Sequence, residues 1–295
     1  MALKSPIAAA VALLLALGAG ATVGAADSKI ALVAAENFYG DVAGQIGGER
    51  VAVTSVMNNP DQDPHLFEVS PAVIRRIVGA QIVVYNGADY DPWMAKLLLA
   101  APKPGRAVIV AADLVNRKPG DNPHIWYDPA TMPAVARALA AALSAADPAH
   151  KDEFAARLQS FLASLKPLDE KIAALRGKYA GVPVTASEPI FGDMAAALKL
   201  KMRNERFQLA IMNDTEPSAR DVAAFERDLK TRQVRVMFYN RQASTKIVQH
   251  LVDLARASNV PVVGVTETEP SGLSYQQWMQ SELDETGRAL AGTSS

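Results

Sequence analysis

The sequence predicts an α/β protein with two lobes, each a mostly parallel sheet flanked by helices, joined by one long rigid helix. Three observations predict it. Short β-branched runs alternate with amphipathic helical stretches, the pattern of parallel strands with helical crossovers. That alternation occurs in two successive series. Between the series, Phe154, Leu158, Phe161, Leu165, Leu168, Ile172 and Leu175 recur at helical spacing. At 295 residues, 49% hydrophobic and 21% charged, the chain is long enough to bury two substantial cores.

In chain order, residues 1–26 read as a secretory signal peptide: Lys4, an apolar run over 7–17, then small residues ending in Val23-Gly24-Ala25. The run is too short for a membrane span, and nothing later is long and apolar enough to insert. Residues 27–146 form the N-terminal α/β lobe, with strands over 30–34, 51–57, 81–86 and 107–110 and helices near 39–47, 71–79 and 93–100. Residues 147–180 are the linking helix, helical from about 149 to 178 and kinked by Pro167. Such a rod is much stiffer than a Gly/Ser linker, so large hinge opening is not expected. Residues 181–295 form the C-terminal lobe, with strands over 183–186, 208–212, 234–239 and 262–266 and helices near 190–200, 218–231, 243–258 and 275–290.

Charge and cysteine usage narrow the function classes. A formal net charge of -1 leaves no broad basic field, which argues against nucleic acid or an anionic membrane as the partner and leaves a small neutral or cationic ligand open. Cysteine is absent, so there is no disulfide, no thiolate site and no cysteine for a lipid anchor. The expectation is a freely diffusing, monomeric periplasmic protein.

Only four histidines occur, and two stand in near-identical settings, Asp63-Pro64-His65-Leu66-Phe67-Glu68 and Asn122-Pro123-His124-Ile125-Trp126. A proline before each imidazole stiffens the loop that carries it, and stiff loops hold ligands in place. In open parallel sheets, ligands bind beyond the carboxyl ends of strands. His65 and His124 follow strands of the first lobe; Glu188 and the Glu267/Glu269 tip follow strands of the second. Two imidazoles and two carboxylates can therefore close around one divalent cation, and nitrogen and oxygen donors suit Zn²⁺ and Mn²⁺. Blander readings stand beside these. Glu188 can cap the following helix, only one of Glu267 and Glu269 need face the cleft, and Asp61, Asp63, Glu68 and Asp128 can be turn residues or acceptors that orient the imidazoles. Glu36 and Asn37 are rim candidates, while His150 and His250 read as surface residues.

The chain resembles the solute-binding proteins of zinc and manganese ABC importers, the cluster A-I or cluster 9 family, over nearly all of the mature sequence. The two histidine loops, including Asn59-Pro60 and Asp128-Pro129, and the long joining helix carry the resemblance. It implies a metal set of His65, His124, Glu188 and Glu267, with Glu269 as the alternative fourth ligand. It implies Zn²⁺ or Mn²⁺ as cargo, a membrane permease with a cytoplasmic ATPase as partner, and no enzymatic activity. Zinc-binding members usually carry histidine where Glu188 stands, and manganese-binding members often carry glutamate. The rival readings are a secreted zinc hydrolase, unsupported by any His-Glu-x-x-His helix, and a binding protein for a chelate or organic solute with walls from Phe38, Tyr39, Trp126 and Tyr239.

Overall fold

The computed structural model describes residues 29–59, 67–243 and 245–292. The first lobe begins with β1 (Ile30–Glu36) and α1 (Asn37–Gly47), then β2 (Val51–Met57), α2 (Pro71–Gly79), β3 (Ile82–Tyr85), α3 (Pro92–Ala100), β4 (Ala107–Val110), α4 (Ala111–Leu114) and α5 (Thr131–Ala146). Nearly every residue of β1 is buried, as a central parallel strand covered on both faces requires. The sheet is wholly parallel in the order β2-β1-β3-β4.

Two helices, α6 (Lys151–Ser164) and α7 (Lys166–Tyr179), make the joint. The chain stays right-handed helical at Leu165 (φ -80°, ψ -15°), so one helical path continues through a break in the ladder. The break falls where the sequence predicts it, because Pro167 has no N–H to donate. Phe154, Phe161, Leu168, Ile172 and Leu175 form the buried stripe.

The second lobe contains β5 (Pro183–Ala186), α8 (Gly192–Ala197), β6 (Lys201–Arg203), α9 (Glu205–Met212), α10 (Ala219–Lys230), β7 (Met237–Asn240), α11 (Lys246–Ala257), β8 (Val262–Val265) and α12 (Tyr275–Ala291). Its sheet is also parallel, in the order β6-β5-β7-β8. The two sheets therefore share one topology, with strand order reversing direction between β1 and β3 and between β5 and β7. Ligands bind at such switch points.

One expected strand is corrected. Residues 208–212 lie in the helix α9, and the strand beside β5 is Lys201–Arg203, paired Thr185↔Arg203. The run over 208–212 is apolar, but Phe207 packs inward while Leu209 is 46% exposed, a helical face and not a strand. Smaller differences occur elsewhere. β1 continues to Glu36, β7 starts only at Met237, and the stretch after Glu188 is a 3-10 turn, Pro189–Phe191, before a short α8.

A single apolar core runs through both lobes, from Leu32 and Phe38 through Trp126 and Tyr127 to Phe191, Trp278 and Leu283. Its aromatic centre has Phe38 5.0 Å from Trp126 and 5.8 Å from Trp278, ring centre to ring centre. Smaller cores cover the outer sheet faces, one around Phe207, Phe225 and Leu251, the other around Val33, Ile77 and Met94. Polar links cross the same seam: the Tyr275 hydroxyl donates to the Trp126 carbonyl at 2.8 Å, and Asn37 and the Glu269 backbone exchange two hydrogen bonds. Gly40 lets α1 lie close on β2, since a Cβ there would collide with Ser55 Oγ. Among the described residues, no helix is long and apolar enough to cross a membrane.

Candidate metal centre

His124 stands in the loop that follows β4 and α4, just before the buried 3-10 turn Ile125–Tyr127. Asn86, at the end of β3, donates to the Pro123 carbonyl at 2.9 Å and anchors this loop. The Asn122 amide donates to the Pro189 carbonyl of the other lobe at 2.9 Å, which turns its Oδ1 toward the His124 Nδ1, 2.8 Å away. An oxygen acceptor there makes Nδ1 the protonated nitrogen, leaving Nε2 with its lone pair. That lone pair is what a cation needs.

Glu188 follows β5, and its side chain makes no capping hydrogen bond to the turn after it, so the capping reading is not met. Glu267 follows β8. One oxygen from each of Glu188 and Glu267 and one nitrogen of His124 all lie within 4.8 Å of one another, and all three residues are buried. His124 Nε2 is 3.9 Å from Glu267 Oε2. Donors on a tetrahedral Zn²⁺ sit roughly 3.3 Å apart, given bonds of about 2 Å. A small contraction would bring this set onto one ion. Holding two carboxylates together out of water is costly unless positive charge lies between them.

Glu267 is gripped at both oxygens. Asn240, at the end of β7, donates to Oε1, and the Tyr90 hydroxyl donates to Oε2 at 2.8 Å. Gln242 accepts from the backbone N–H of Glu267 at 2.6 Å and of Thr268 at 3.1 Å, fixing the loop itself. Sequence reasoning missed Tyr90, Asn240 and Gln242. Their one available signal was position, since Tyr90 and Asn240 follow the strands that flank the two switch points.

His65, Asp61 and Asp63 lie outside the described residues. Glu269 is held by its backbone N–H and carbonyl to the Asn37 side chain of α1, and burial, then the charge of Asp41, pushes its carboxyl up to about 9. Glu68 is exposed. Asp128 lies 3.6 Å from Arg117 and accepts from the Ala130 N–H, a turn residue at the start of α5. His150 bonds Asp147 and His250 bonds Glu226 at the surface. Glu36 is wholly buried, and burial, then Asp91, raises its carboxyl well above the usual range. Burial lifts Asp91 to about 6, held back by the hydrogen bonds it accepts from the Gly87 and Asn86 amides.

Comparison with known proteins places the chain in a family. At the sequence level, the chain is 26% identical over 242 residues to the manganese-binding lipoprotein MntA of Bacillus subtilis, covering 78% of this chain and 77% of the relative. It is 23% identical over 305 residues to the manganese ABC transporter substrate-binding lipoprotein PsaA of Streptococcus mitis, covering 95% and 96%. Among solved structures, the periplasmic zinc-binding protein TroA of Treponema pallidum superposes with a TM-score of 0.75 at 20% identity, over 89% of this chain and 99% of that one. The solute-binding protein FpvC of Pseudomonas aeruginosa, solved with Mn²⁺, gives 0.72 at 20% identity, over 89% and 98%. The family model described as zinc-uptake complex component A, periplasmic (ZnuA), matches residues 32–289, and the chain belongs to that family.

Proposed function

We propose that this protein captures one Zn²⁺ or Mn²⁺ ion in the cleft between its lobes, with His65, His124, Glu188 and Glu267 as donors, and delivers it in the periplasm to the permease of an ABC importer. The observation that carries the reading is the convergence of His124, Glu188 and Glu267, three buried donors from two lobes, within 4.8 Å. Two carboxylates balance the charge of a divalent ion, and neutral imidazole supplies nitrogen. Capture competes with protons on the histidines, so affinity falls as pH drops below about 6.5.

Against the hydrolase reading stands family membership, since the named relatives are transport binding proteins. Against an organic solute stands the burial of three of its four supposed walls: Phe38, Tyr39 and Trp126 are wholly inside the core, and Tyr239 is half-buried.

Elemental analysis of protein isolated from its own periplasm without chelator, with calorimetric titration of the wild type, tests the proposal. The expected result is one divalent metal per chain, with His124→Ala and Glu188→Ala each weakening binding a hundredfold or more, on the order of losing a donor from a closed site. Metal-free protein whose titrations are indifferent to both substitutions would overturn it.

A further inference from the structure

Two polar contacts outside the donor set tie the loop that carries His124 to the segment that follows Glu188. After α4 the chain turns through a left-handed residue, Asn116 (φ 57°), and the Arg117 N–H closes back onto the Ala112 carbonyl at 2.9 Å, which fixes where the Arg117 side chain leaves the backbone. Its guanidinium crosses to the second lobe and donates at 2.7 Å to Asp193 Oδ1, in the first turn of α8. The pair is largely withdrawn from water, the two side chains being 29% and 13% exposed. The second contact is the Asn122 amide on the Pro189 carbonyl, at 2.9 Å. Gly192 lets the loops meet this closely, since a Cβ there would stand 3.2 Å from Asn122 Nδ2.

We infer that Arg117 and Asp193 are a positioning pair for metal capture: with Asn122 and Pro189 they form a two-point staple between the lobes that sets the separation of His124 from Glu188. The inference rests on those two residues being ligands. A single contact between two loops leaves a pivot about which each can turn, and a second one, set apart from the first, removes it. Arg117 and Asn122 lie on the stretch that leads into His124, and Pro189 and Asp193 on the stretch that leaves Glu188. Donors spaced in advance bind an ion with less ordering cost. The ion pair suits this task because of its burial. A fully exposed pair would contribute little, whereas Asp193 without Arg117 would be a mostly desolvated charge whose Oδ2 already lacks a hydrogen bond among the described residues. Arg117 also stands 3.6 Å from Asp128 of its own lobe, so the shorter contact is the one that crosses.

Positioning and simple charge predict different patterns. Arg117→Gln removes a positive charge and Asp193→Asn a negative one, so a bare field effect on the cation would strengthen binding in the first and weaken it in the second. Loss of the staple weakens both. Zn²⁺ and Mn²⁺ affinities are measured by competition with a chromophoric chelator, and dissociation rates by stopped-flow mixing with excess chelator. The expected result is a Kd raised about tenfold in each variant, the low end of the range for groups that hold a metal ligand in place, mainly through faster dissociation. The double variant should bind no worse than the weaker single, because both act through one contact, and Arg117→Lys, which keeps the charge, should recover part of the loss. Gln276→Ala cuts a link between α1 and α12 away from both loops and should leave metal binding unchanged. If Asp193→Asn fails to fold by circular dichroism, Arg117→Gln against Arg117→Lys decides. Opposite signs in the two single variants, or changes no larger than that of Gln276→Ala, overturn the inference. Wild-type protein that binds neither ion at one per chain, or binds it indifferently to His124→Ala, would instead overturn the metal-site reading, and this inference with it.

Discussion

Asn122 sets which nitrogen of His124 carries the proton, because its Oδ1 accepts a hydrogen bond from Nδ1–H while its amide donates to the Pro189 carbonyl in the other lobe. Asn122→Ala should therefore cost 10- to 100-fold in metal affinity, about the range for partners that orient a ligating histidine, with the fold intact by circular dichroism. A second residue-scale prediction concerns Glu282, which burial raises to about 8, opposed by the hydrogen bond from the Trp278 indole. The folded protein keeps this proton at pH values where the unfolded chain, with a carboxyl near 4.3, has lost it. Its contribution to stability is thus fully present below about 4.3 and is lost as pH rises through about 8. Glu282→Gln should raise the melting temperature at pH 8 and leave it nearly unchanged at pH 4, as read by scanning calorimetry; equal shifts at both pH values would refute the assignment. The convergence of His124, Glu188 and Glu267 was legible because all three lie on loops beyond the carboxyl ends of parallel strands, where ligands bind. Tyr90 was not, since its meaning depends on a partner 177 residues away.

At the scale of elements, the pattern of apolar residues located the sheets and most helices, and where it failed the cause is physical. β6 is three residues long with two exposed or half-exposed cations, Lys201 and Arg203, and such a strand has no alternation to read. Its neighbour α9 is compact and apolar, so an unaided reading exchanges the two. The joining helix was legible down to its break, because Pro167 lacks an N–H wherever it stands. Close packing of elements is not written in periodicity. In Gly40→Ala the added carbon drives Ser55 Oγ aside and then meets Val53 Cγ1 at 3.3 Å, so the net change should stay within about 1 kcal/mol, the helix gain of alanine offsetting the tight contact; chemical denaturation checks this, and adding Ser55→Gly should remove the conflict. Ser274, whose side chain and Gln277 close the start of α12 reciprocally, should cost ~1 kcal/mol on replacement by alanine.

The whole molecule is two sheets of one topology fixed against each other by a common core and by links such as Tyr275–Trp126 and Tyr90–Glu267. Ligand binding to such a frame stabilises it by mass action. At a thousandfold excess of Zn²⁺ over its Kd the gain is about 4 kcal/mol, a rise of roughly 8–16 °C in melting temperature for a protein of this size. Small-angle scattering of the metal-free and metal-loaded forms should give nearly equal radii of gyration, because the joint is helical throughout and not a flexible tether; a change of several ångströms would show a hinge that this packing does not allow for.

The apolar interior that passes from Leu32 through Trp126 to Trp278 ignores the boundary between the halves of the chain. Severing the polypeptide after Ala180 would leave each fragment with a wide oily face that water cannot wet. Expressed singly, both pieces should accumulate as insoluble aggregates, and co-expression should recover a soluble noncovalent pair.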